Sequence, residues 1–179
     1  TGGIYGKGGD FLYRWGSPNN YNSGSSSDNI LNSQHGVNWI PRGYPGEGNL
    51  ILYNNFHSGN SSAVLEIETP ILPDGSYEFT ADGAYGPESW TWIYSTNISS
   101  QMQSGAFRMP NGNTLITEAQ DARIIEVTST GQIEYDYTYP GNAIIARAMK
   151  YPLDFFDAAY TIGDVNGDDS IDILDVVVS

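Results

Sequence analysis

Short apolar runs that alternate with polar residues or are rich in β-branched side chains, each closed by Gly, Pro or Asn, set the pattern of this chain. A period of two puts successive side chains on opposite faces, so such runs read as strands. One set covers residues 105–109, 112–117, 122–127 and 132–137, with turns at Pro110-Asn111-Gly112-Asn113 and Ser129-Thr130-Gly131. An earlier set repeats it in the same order, at 36–41, 48–53, 63–68 and 89–94, with a longer loop over 69–88. Gly48 and Gly112 open matching strands 64 residues apart. A third copy is partial: Gly9 to Trp15 is similar to Gly131 to Tyr137 and predicts the fourth strand alone.

Four-stranded meanders that repeat every 40–65 residues predict an all-β fold made of β-propeller blades. A β-sandwich with similar hairpins is the other all-β solution. Two blades and one outer strand of a preceding blade cannot close a ring of four to eight blades. Open blade faces expose apolar surface and unpaired strand edges. The expectation is therefore a partial β-propeller over residues 1–160, the C-terminal part of a larger ring. Its partners would be the missing blades or identical chains, in a homo-oligomer or filament.

Composition narrows the functions. The chain has 179 residues, with 13 Tyr, 4 Trp and 21 Gly, a β-like choice. Net charge is −14, and residues 151–179 supply half of it, with seven Asp and no Lys or Arg. Such a chain repels phosphate backbones, so nucleic acid is not an expected partner. There is no cysteine, which removes thiol chemistry and Cys-type zinc sites. No run of 18 apolar residues occurs, so no membrane span is expected. Thr1-Gly2-Gly3 does not read as a translation start, so the chain looks mature or trimmed. Asn60-Ser61-Ser62 and Asn97-Ile98-Ser99 fit glycosylation acceptors.

Residues 161–179 form a second predicted domain. With Asp164 as position 1, Asn166, Asp168, Ser170, Asp172 and Asp175 fall at positions 3, 5, 7, 9 and 12. These are the offsets at which an EF-hand-like loop of about 12 residues wraps Ca²⁺ with oxygen ligands. Asp169 stands where the loop usually has Gly, and Asp175 replaces the usual bidentate Glu. Residues 163–179 resemble the first of the two repeats of a dockerin domain. That resemblance implies calcium-dependent docking to a cohesin-like partner, with only half of the motif in this chain. A calcium loop points to a secreted or cell-surface protein, where free Ca²⁺ is high.

Residues 9–153 carry FLYRWGSP (11–18), SQHGVNWIPRG (33–43), GNLILYNN (48–55), AVLEIE (63–68), SGAFRMPNGNTLITEAQDARIIEVT (104–128) and ARAMKYP (146–152). These stretches resemble the C-terminal blades of the arylsulfotransferase-like propeller family. The resemblance implies sulfuryl transfer between phenolic compounds through a sulfo-histidine. It implies His35, in Gln34-His35-Gly36, as the nucleophile. Arg14 and Arg42 lie near His35 in sequence and are candidates to stabilise the spread negative charge of the sulfuryl group. Asn54 and Asn55 end a strand and are expected to face the same channel. His57 is read as a surface-loop residue, or else as one close to substrate.

The aromatic set Trp90, Trp92, Tyr94, Tyr135, Tyr137 and Tyr139 is expected to pack between blades rather than bind sugar. Glu66, Glu68, Glu118 and Glu126 sit on separate strands without a glycosidase pattern. Three functions remain open: a sulfotransferase-like propeller, a non-catalytic extracellular structural or adhesive module, and a calcium-dependent docking module.

Overall fold

The computed structural model describes residues 8, 9, 11–80, 82–153 and 155. The chain divides into two compact units, Thr1–Met149 and Lys150–Ser179. In the second, Tyr151 packs its ring on Phe155 at 4.3 Å, and the Phe155 amide donates to the Pro152 carbonyl at 3.1 Å. The calcium-loop residues Asp164, Asn166, Asp168, Ser170, Asp172 and Asp175 lie outside the described residues.

Among its described residues the first unit is all-β apart from two short 3₁₀ turns, Pro18–Tyr21 and Ser26–Asp28. Its strands are β1 (Gln34–Trp39), β2 (Leu50–Ser58), β3 (Ser61–Ile67), β4 (Trp92–Tyr94), β5 (Gly105–Arg108), β6 (Thr114–Glu118), β7 (Arg123–Val127) and β8 (Ile133–Thr138). They form two four-stranded sheets, in the orders β1-β2-β3-β4 and β5-β6-β7-β8. Every pairing is antiparallel. Both meanders therefore stand where the alternation placed them. The ninth strand does not: residues 11–15 form no strand. This segment is held by side chains instead, with Tyr13 Oη donating to the Gly86 carbonyl and Trp15 Nε1 to Pro87, both at 2.7 Å.

Register assigns the faces. Ile51 pairs with Glu66, and Tyr53 with Val64, so these four share one face of the first sheet. Ala106, Ile116 and Ile125 share the facing side of the second. All of these except Glu66 form one core between the sheets with Ile40, Tyr94, Ile98 and Val127. Each Ile or Val among them, fully buried, contributes roughly 1.5–3 kcal/mol. Leu52, Ala63 and Leu65 point the other way, beneath Trp15, Ile30, Leu31, Trp90 and Ile93. The central strands β2 and β3 are thus buried on both faces, which is why they read as continuous apolar runs.

The core also holds charge. Arg108 on β5 reaches across to Glu66 on β3 and donates to the Gly112 carbonyl at 3.0 Å. Its guanidinium lies 5.0 Å from the Trp92 ring. The two meanders repeat one polar contact. Asn49 Nδ2 donates to Glu66 Oε1 at 2.7 Å, and Asn113 Nδ2 donates to Glu126 Oε1 at 2.7 Å.

The aromatic set divides. Trp90 and Trp92 are half-buried and Tyr94 is buried, as expected for packing. Tyr135, Tyr137 and Tyr139 are 50, 41 and 45% exposed, against that expectation. β8 is an edge strand, and no further strand pairs with it among the described residues.

Candidate functional site at the start of strand β1

His35 enters β1 beside β2, where it pairs with Tyr53. Its Nδ1 faces two acceptors, Asn55 Oδ1 at 2.8 Å and the Ser33 carbonyl at 3.1 Å. Two acceptors require Nδ1 to carry the proton, so the neutral ring has its lone pair on Nε2. The orientation of the Asn55 amide is not arbitrary. Its Nδ2 donates to the Ser100 carbonyl at 2.8 Å and to Gln103 at 3.3 Å, which turns Oδ1 towards His35. Asn55 is fully buried, whereas His35 is exposed. The arrangement is a fixed amide that orients a solvent-facing imidazole.

Backbone strain gathers around the pair. Ser33, Gln103 and Ser104 have φ of 54, 47 and 77°, in the left-handed region that costs a residue with a side chain about 1 kcal/mol or more. Ser33 and Gln103 each supply a carbonyl to the His35–Asn55 pair. Gly36, next to His35, has φ +64°, and a Cβ there would stand 2.9 Å from Gly105 Cα. Glycine is therefore required where β1 and β5 meet.

The other sequence candidates are placed elsewhere. Arg42 lies three residues beyond the far end of β1, its side chain 95% exposed and 4.0 Å from Glu47. At about 3.3 Å per residue along a strand, β1 alone separates it from His35 by more than 10 Å. Arg14 stacks over Phe11 and Tyr21, at 5.1 and 5.8 Å. Asn54 is fully buried and faces away from the inter-sheet core. It donates to the Ile30 carbonyl and accepts from the Asn32 amide, tying residues 30–32 to β2.

His57 belongs to β2 and not to a loop, because β2 runs on through a bulge to Ser58 before the turn into β3. Its ring meets Trp90 edge-on at 5.4 Å, and its buried Nδ1 has no hydrogen-bond partner. Burial pushes its pKa below the ordinary histidine value.

A cation that was not among the sequence candidates, Arg147, lays its side chain along the start of β5. Gly105 Cβ, if present, would lie 3.8 Å from Arg147 Cγ and 4.0 Å from Gly36 Cα. The Arg147 guanidinium sits 5.7 Å from the Phe107 ring and makes no ion pair among the described residues. Its segment is pinned by the Ile145 amide to the Ala119 carbonyl and by the Ala148 amide to Thr117 Oγ1, at 3.2 and 3.0 Å. The glycine at the head of each repeat marks the close approach of β1 to β5 and carries no signal for Arg147.

Of the four glutamates singled out by sequence, Glu66 and Glu118 form ion pairs, while Glu126 accepts from Asn113. Glu118 is buried, takes the Ser99 amide at 2.6 Å and pairs with Arg123 at 2.8 Å. Arg123 also pairs with Asp136 at 2.7 Å. Burial nevertheless pushes the Glu118 carboxyl above its ordinary pKa. Asn60 and Asn97 are exposed at turns, and Ser99 Oγ donates to the Asn60 carbonyl at 2.8 Å. Among the described residues no helix is long and apolar enough to cross a membrane. No protein family, no curated protein and no solved structure matches this chain.

Proposed function

We propose that His35 is the nucleophile of a sulfuryl-transfer site of the arylsulfotransferase type, and that the two meanders are consecutive blades of a propeller. The Asn55 carboxamide on His35 Nδ1 carries this reading. It holds the imidazole in the tautomer that presents the Nε2 lone pair, and it adds no negative charge that would favour the unreactive imidazolium. In the first step Nε2 attacks sulfur of an aryl sulfate, an N–S bond forms, and the S–O bond to the aryl group breaks with release of phenolate. In the second, an acceptor phenol loses its proton to solvent or a base. Its oxygen attacks sulfur, and the N–S bond breaks to return His35. The sulfuryl oxygens carry the spread negative charge of both steps. Arg147, not Arg14 or Arg42, is the cation we assign to them. The blade reading is supported by the matching strand order and by the repeated Asn-to-Glu contact.

The test is covalent capture. A polypeptide with the complete ring is mixed with 4-nitrophenyl sulfate, quenched in base, and its peptides are weighed. One SO₃ on the peptide containing His35, and none in His35→Ala, is the expected result. An unmodified wild type, or an adduct that survives in His35→Ala, removes the assignment.

A second reading rests on a different observation. Val37 and Trp39 on β1 are 59 and 54% exposed, while Tyr135 and Tyr137 are exposed on β8 of the other sheet. Apolar residues bare on both sheets favour a non-catalytic extracellular module that assembles head to tail, with Ca²⁺ on residues 164–175. A cohesin-like partner for that loop belongs to the same reading. Concentration-dependent association in light scattering supports it, and a monomer throughout counts against it.

A further inference from the structure

A cleft of about 370 Å³ lies between the segment 15–30 and the loop 80–88, apart from the His35 site. Its size falls in the range of small-molecule sites. Trp15, Tyr21, Tyr85 and Ile30 supply apolar walls. The two segments are stitched together across sixty or more residues of chain. Trp15 Nε1 donates to the Pro87 carbonyl, the Tyr85 amide to Tyr21 Oη at 3.1 Å, and Ser23 Oγ to the Gly83 carbonyl at 2.9 Å. Tyr21 and Tyr85 meet edge to face at 5.5 Å. The walls are thus formed before any ligand arrives.

The charged groups lining this cleft among the described residues are all acids. Asp28, Asp82 and Glu88 line it, and among the described residues no Lys, Arg or His does. Asp28 spends Oδ2 on the Ser25 amide and hydroxyl, and Asp82 spends Oδ1 on the Thr80 hydroxyl and the Ala84 amide. The second oxygen of each, and both oxygens of Glu88, make no hydrogen bond among the described residues. The Ser25 bonds hold the Asp28 carboxyl below its ordinary pKa, against an opposing push from the charge of Asp82. The lining indole and the Thr80 hydroxyl already donate within the protein. The acids favour a ligand that carries positive charge together with N–H donors. Among the described residues no three acidic or histidine side chains converge as a metal ion requires. Arg14 stacks on Tyr21 but does not line the cleft.

We propose that this cleft binds a small organic ammonium ion, its apolar body against the aromatic walls and its N–H donors on the carboxylates at Asp82 and Glu88. A cation beside aromatic rings gains from their negative faces as well as from the carboxylates. The site does not depend on the His35 reading.

The probe is 2-phenylethylammonium, followed by calorimetry and by NMR shifts of the Trp15 indole in the full chain. Its neutral counterpart is 2-phenylethanol, which matches it in shape. The expected result is saturable binding of the amine that weakens with added salt, with the alcohol weaker by at least about tenfold. Asp82→Asn keeps the Oδ1 acceptor that holds its turn, and Glu88→Gln keeps the side-chain volume. The double variant should fold normally by circular dichroism and bind the amine at least about tenfold more weakly. Equal binding of amine and alcohol, no binding of the amine, or an unchanged affinity in the double variant would each overturn the proposal.

Discussion

Arg108, the last residue of β5, and Glu66, near the end of β3, form a buried ion pair between the two sheets, each 7% exposed. Glu66 is the hub: it also takes Asn49, while Arg108 is braced by the Gly112 carbonyl and the Trp92 ring. A charge buried this deeply is tolerable only with its partner. Arg108→Ala should therefore lower unfolding free energy by about 3–5 kcal/mol, because Glu66 stays buried without its cation. Urea unfolding measures it. The Arg108→Met, Glu66→Gln double variant should recover most of the loss, which separates the stranded charge from lost packing.

The His35–Asn55 contact has its own signature. Asn55→Asp places a carboxylate against Nδ1 and favours the imidazolium. The NMR titration midpoint of His35 should rise by about one pH unit or more over wild type. Modification of His35 by an acylating reagent near pH 7 should slow accordingly. An unmoved midpoint would mean that residue 55 does not touch the ring in solution.

His57 predicts a pH effect on stability. Its buried nitrogen has no partner, and burial holds its folded pKa below the unfolded value of about 6.5. The folded state binds the proton less readily than the unfolded chain. The contribution is complete above about pH 6.5 and is lost as pH falls through the lower folded pKa. His57→Phe keeps the contact with Trp90 and removes the titration. Between about pH 6.5 and 5 the slope of stability against pH should be flatter in the variant than in wild type. Equal slopes would place the proton-linked loss elsewhere.

Gly36→Ala tests how tightly β1 and β5 approach. The new Cβ would meet Gly105 Cα at 2.9 Å in a backbone of φ +64°. The loss should be about 2 kcal/mol, from strain and displacement together. Gly43 has a similar φ of +83° but open space around it, so Gly43→Ala should cost only the backbone part, about 1 kcal/mol.

The calcium expectation on residues 164–175 is open to direct measurement. Calorimetric titration of Ca²⁺ should give heat in the wild type and little in Asp164→Ala, since position 1 supplies a side-chain oxygen. Equal heats in both would remove the site.

What the sequence determined by itself was local. Alternation and turn residues act within about ten residues, and meander strands pair with their sequence neighbours, so both sheets and their order could be read before any fold was known. Asn55 could be named beside His35 for the same reason, because β1 and β2 are consecutive. The tertiary structure decided everything that depends on which face is covered and by what. Alternation assigns Tyr135 and Tyr94 alike to a face, yet only Tyr94 has a second sheet against it. It cannot say that Arg108 meets Glu66 42 residues away, or that Arg147 rather than Arg42 comes to Gly105. Nor does it show that residues 11–15 bond through side chains to the loop at 86–87 and so help to wall a cleft. Those contacts arise from packing between segments remote in sequence, where burial and charge compensation choose the partner and local periodicity carries no information.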